Sequence, residues 1–178
     1  GNDLALDAGA SGNVTLSGAL TGGGAMTVRD GAVQSYDALT LTSLTISDAT
    51  TSVTFNNTLT MSGATDIDSG GTIVINAAVS GTTFDIDGTG ATTIGANGDI
   101  DASGAIAFGA SKAGTLTTSG DIDTSNDAVR FYRAVTLGGN VDIDTDTGAG
   151  NIQFDSTIAT GGNDLALDAG ASGNVTLS

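Results

Sequence analysis

The sequence predicts an all-β chain folded as a parallel β-helix (β-solenoid), with coils of about twenty residues and three short strands per coil. Three observations predict it. The first seventeen residues, GNDLALDAGASGNVTLS, return verbatim as residues 162–178, so that Gly162 restates Gly1. Between the two copies a hydrophobic residue followed by Asp recurs near the end of short alternating runs: DLALD, MTVRD, LTISD, then a series of DID. The chain also holds 28 Gly and no Pro, where ordinary usage of about 5% would supply roughly nine prolines. Proline has no N–H to give to a ladder, so strands paired on both sides exclude it.

A self-contained domain gains nothing from repeating its opening at its close, so the chain reads as a window on a tandem array. Residues 1–161 form one superrepeat, and residues 162–178 begin the next; no separate domains are expected.

Taken in order, the last inward hydrophobe of each run marks one coil: Leu6, Val28, Ile46, Ile67, Ile86, Ile100, Ile122, Ile143 and Leu167. The steps between markers are uneven, and the one from Ile86 to Ile100 is the shortest. Eight steps fill the unit, which predicts eight coils per superrepeat. Between markers lie two further alternating pieces. In the third coil they are Val53/Phe55 and Leu59/Met61, after Leu44/Ile46; in the eighth they are Ile152/Phe154 and Ile158, after Val141/Ile143. Gly, Asn, Asp, Ser and Thr bound these pieces, which is strand chemistry separated by turn chemistry. Each strand then pairs in parallel with its equivalents one coil above and below, the rest of the coil serving as the connection. The crossover rule makes the coil right-handed.

All 20 acidic residues are Asp, the only basic residues are Arg29, Lys112, Arg130 and Arg133, and the net charge is −16. The near-absence of Glu, Lys and Arg removes the usual surface of helices. The same balance repels nucleic acid and anionic membrane surfaces. No apolar run approaches the length of about 18 residues that a membrane-spanning helix needs, so no direct membrane insertion is expected in this region. Without Cys or His there is no disulfide scaffold and no thiolate or imidazole metal site.

The coil length, the phrases GNVTLSG (12–18), GAIAFG (104–109) and GGNVDIDT (138–145), and the Gly/Ala/Asn/Thr/Asp bias resemble the filamentous-haemagglutinin type of giant secreted bacterial adhesin. The resemblance runs over the whole chain and is one of style, with no adhesin signature residue carried over. It implies a right-handed parallel β-helix at the cell surface, forming an extracellular shaft with roles in attachment, aggregation or biofilm. It further implies partners of two kinds: copies of the chain along or beside the fibre, and host-cell or surface glycans reached through other parts of the protein.

Two constellations stand out. In five successive markers the inward Ile is flanked by Asp: Asp66/Asp68, Asp85/Asp87, Asp99/Asp101, Asp121/Asp123 and Asp142/Asp144. Alternation turns both flanks outward, so stacking predicts two columns of five carboxylates. Such columns are a ligand set for calcium, a hard cation that takes several oxygens. They are equally a solvated anionic face that holds rods apart. Like charges about 4.8 Å apart in water repel by roughly 0.9 kcal/mol, a cost a long array can carry without a cation.

The second is DAVRFYRAV (127–135), which holds two of the four basic residues and two of the seven aromatics. With Val129 and Phe131 inward, Arg130, Tyr132 and Arg133 fall at the surface or a corner, as a contact patch of residue types favoured in interfaces. Catalysis is not expected. Paired carboxylates need a cleft and unlike environments to work as acid and base, and a Ser without a base is not a nucleophile. The first reading is therefore a structural shaft. The alternative is a self-assembling filament or sheath subunit whose coils make the lateral or end-to-end contacts, and a calcium- or glycan-binding repeat module comes third.

Overall fold

The computed structural model describes residues 1–109 and 113–178. Among the described residues, twenty-five short strands form three sheets of nine, eight and eight strands, and every third strand along the chain joins the same sheet. Every pairing is parallel, as between Leu4–Leu6 and Ala25–Val28 or between Thr65–Ser69 and Phe84–Gly88. No helix occurs among the described residues. The architecture is a three-sided β-solenoid of about eight turns. Leu4 and Val175 stand in one column of the first sheet eight steps apart, so a coil averages a little over twenty residues.

Period-two alternation builds the core. In strands such as Ser43–Ile46 and Ser52–Phe55 the residues alternate between half-buried and fully buried, the buried set being Leu44, Ile46, Val53 and Phe55. Stacked over the coils, the inward positions of the first sheet run Leu6, Val28, Ile46, Ile67, Ile86, Phe108, Phe131 and Phe154. The last three rings lie face to face, with centroids 5.2 and 4.5 Å apart. In the second sheet Tyr36 stacks on Phe55 at 5.5 Å. The Tyr36 hydroxyl donates to Gln34 Oε1 at 2.7 Å, and Gln34 Nε2 donates to the Asp48 carbonyl at 3.0 Å. These bonds satisfy a buried polar pair that otherwise costs free energy inside an apolar column.

The markers do not all stand on one face. Up to Ile86 they follow the first sheet; Ile100, Ile122, Ile143 and Leu167 stand on the third. The neighbour of Ile86 in the next coil is Phe108, well beyond the next marker. The short step from Ile86 to Ile100 is a change of face, because so few residues do not close a three-sided turn of ordinary length. The same step decides the phase of the long repeat. Leu4–Leu6 opens the first sheet, but its copy Leu165–Asp168 lies on the third, 23 strands later rather than the 24 of eight full turns.

Candidate functional site

The three faces differ chemically. Among the described residues, the strands of the second sheet carry no charged side chain. Their outward positions read Thr15, Ser35, Thr54, Val74, Thr93, Thr117 and Thr136 in register, a flat column of small and mostly hydroxyl side chains. The third sheet changes along its length: its outward column reads Thr21, Thr40, Thr60 and Ser80 over the first four coils and then turns acidic, with Asp101, Asp123, Asp144 and Asp168 side by side on consecutive coils. The first sheet is mixed, carrying Asp66, Asp68, Asp85, Asp87 and Arg130.

The ten flanking aspartates thus form two separate groups rather than two columns of five. Asp66/Asp85 and Asp68/Asp87 pair on the first sheet, and the other six lie on or beside the third. The DID motif alternates identically on either face, so the sequence alone does not show where the marker crosses over. Two features become visible only once each strand has its face: Asp168, which continues the acidic column, and the uncharged second sheet.

The two acidic rows of the third sheet do different work. Asp99 Oδ1 accepts the backbone N–H of Asp121 at 3.0 Å, and Asp121 Oδ1 accepts that of Asp142 at 2.8 Å. Asn140 does the same for Asp164 at 3.0 Å. These side chains link one coil to the next where the ladder begins, giving edge amides the acceptor they require. The other row crowds at the surface, where Asp144 and Asp168 also accept the N–H groups of Asp146 and Gly170 in the turns that follow. Partial desolvation, then the charges of Asp144, Asp101, Asp121 and Asp142, push the Asp123 carboxyl up to about 6. Burial first, then neighbouring carboxylates, also raise Asp66 and Asp85 on the first sheet. Shallow acidic depressions follow the corner after the third sheet, one of them lined by Asp101, Asp123, Thr124, Ser125, Asp144 and Asp146. Among the described residues no three acidic side chains are grouped so as to hold a metal ion.

Two predicted surface residues are buried. Asp87, at the end of its strand, and Arg133, just past the Tyr132 corner, are each 4% exposed and face each other at 3.8 Å. The strand alternation that turns Asp85 outward ends at this corner, where the Arg133 side chain runs beneath the turn at Gly109. A Cβ at Gly109 would collide with Arg133 Nε, and Gly109 adopts φ +83°, so both space and backbone require glycine. Arg133 Nη1 donates to Thr92 Oγ1 at 3.1 Å, and burial lowers its basicity. Arg133 is a strut inside a corner and not part of a contact patch.

Arg130 and Tyr132 do lie at the surface, with Val129 and Phe131 buried beneath them. The Arg130 guanidinium sits 4.2 Å from the Tyr132 ring centroid and pairs with Asp155 at 2.8 Å. Tyr132 is 37% exposed. The fourth basic residue that the sequence offers, Lys112, lies outside the described residues. Fold and faces together define a class, the three-sided tandem-repeat β-solenoid. No family model matches the chain, and no curated protein or solved structure does so either.

Proposed function

We propose that the chain is a segment of the structural shaft of an extracellular bacterial fibre or adhesin, a stiff repetitive rod that supplies length and carries binding parts located elsewhere. One observation supports this reading: each sheet continues from coil to coil with every strand hydrogen-bonded to its equivalent, over an apolar column that runs the length of the chain. Such a quasi-one-dimensional stack gains length by adding coils without changing its cross-section. At about 4.8 Å per coil, one unit adds roughly 37 Å of shaft. Electron micrographs of the native material test the proposal. Solitary thin rods projecting from cells are expected, and bundled or sheath-like assemblies support the self-assembling filament in its place.

A further inference from the structure

The two copies of GNDLALDAGASGNVTLS occupy different faces. Leu4–Leu6 and Val14–Leu16 lie on the first and second sheets, whereas Leu165–Asp168 and Val175–Leu177 lie on the third and first. The turn after the first strand nonetheless opens in the same way in both. Gly9 donates to Asp7 Oδ1 at 3.0 Å and Gly170 to Asp168 Oδ1 at 2.8 Å, and the two glycines have φ of 68° and 66°. The opening of the turn is set by its own residues and works at either edge of the prism, while its later hydrogen bonds adapt: Gly12 donates to the Gly9 carbonyl in the first copy, and Ser172 to the Gly148 carbonyl of the coil before in the second.

We infer that in a tandem array of this unit each copy is turned by one face relative to the copy before, so that every face of the rod carries the three face chemistries in rotation. This rests on the proposal above that the unit repeats along a rod. From one copy to the next the chain advances 23 strands, one short of eight turns, so the first-sheet role passes to the third face and the second-sheet role to the first. On any one side the uncharged segment of one unit is followed by the third-sheet segment of the next, which turns acidic in its later half, and then by the mixed one. The pattern closes after three units, about 110 Å at about 4.8 Å per coil. The uncharged face is the one on which two rods meet without opposing strand carboxylates. Rotation limits it, together with the four uncharged strands that open the next segment, to roughly 58 Å before an acidic column intervenes. A second rod approaching from any side therefore meets carboxylates along its length, which holds parallel rods apart.

Because the chain has no cysteine, engineered disulfides report the phase directly. The change of face lies between Ile86 and Ile100, where Asp85 stands beside Ala107. If that step were a short coil keeping the copies in phase, Asp85 would stand beside Asp99 instead. In the full chain, Asp85→Cys/Ala107→Cys is expected to close on mild oxidation, since adjacent strands about 4.8 Å apart lie within disulfide reach. Asp85→Cys/Asp99→Cys is expected to stay reduced. Closure of the second pair, or of neither, overturns the inference. Cryo-electron microscopy of a six-unit array then gives an axial repeat of about 110 Å, and a repeat of about 37 Å overturns it equally. Neither measurement depends on what the native fibre does, so the shaft reading stands or falls separately.

Discussion

At Asp123 the sign of the pH dependence follows from its surroundings. Its carboxyl titrates near 6 in the folded chain against an ordinary 3.8, so between those values the folded state holds the proton more tightly than the unfolded one. That contribution to stability is complete below about 3.8 and is lost as pH rises through about 6. Asp66 and Asp85 act with the same sign. The melting temperature should therefore fall between pH 4 and pH 7, and Asp123→Asn should flatten the fall. Allowing for solvent screening of an exposed group, the gain at pH 7 is on the order of 1 kcal/mol, about 2–4 °C. An unchanged profile in the Asn variant would show that crowding at this position carries no free energy. Residues such as Asp123 are readable from the sequence as outward and acidic, because alternation gives direction within a strand. Asp87 and Arg133 are not. They sit where strands end, and there only the path of the chain round the corner decides whether a side chain turns out or in.

The strand is the scale at which sequence and structure agree most closely. Val53/Phe55, Leu59/Met61 and Ile152/Phe154 alternate in the sequence and lie buried in strands Ser52–Phe55, Leu59–Met61 and Ile152–Phe154. What the strand cannot report is its sheet: DID in Phe84–Gly88 and DID at 121–123 have the same pattern but belong to different faces. The distinction depends on the number of residues needed to pass a corner, which is a property of the whole coil. Stacking within one face also produces the longest aromatic stack of the core, the Phe108–Phe131–Phe154 ladder. Phe131 is fully buried between the other two rings. Phe131→Ala should cost about 3–5 kcal/mol, from lost transfer free energy and from the cavity left between rigid neighbours. Denaturant unfolding measures it, and a cost below about 1 kcal/mol would mean that the coils close over the gap.

For the molecule as a whole, the net charge of −16 leads to one expectation. Salt should raise the melting temperature at neutral pH by screening the acidic column, over a Debye length that shrinks to about 8 Å at physiological ionic strength. Calcium and sodium at matched ionic strength should act alike, and a chelator should change nothing. A transition raised by calcium alone would establish a coordinated ion in place of a screened surface. The turn shared by Asp7–Gly9 and Asp168–Gly170 has a consequence of another kind. A corner that opens in the same way at two edges is a joint at which arrays of the proposed kind would recombine safely: loss of one whole unit between two copies splices strand to strand through the same seventeen residues. In such an array unequal exchange between copies would change the length in whole units and leave every remaining coil with the neighbours it needs. An array shortened in this way that failed to fold would show that the turn is less portable than its geometry implies.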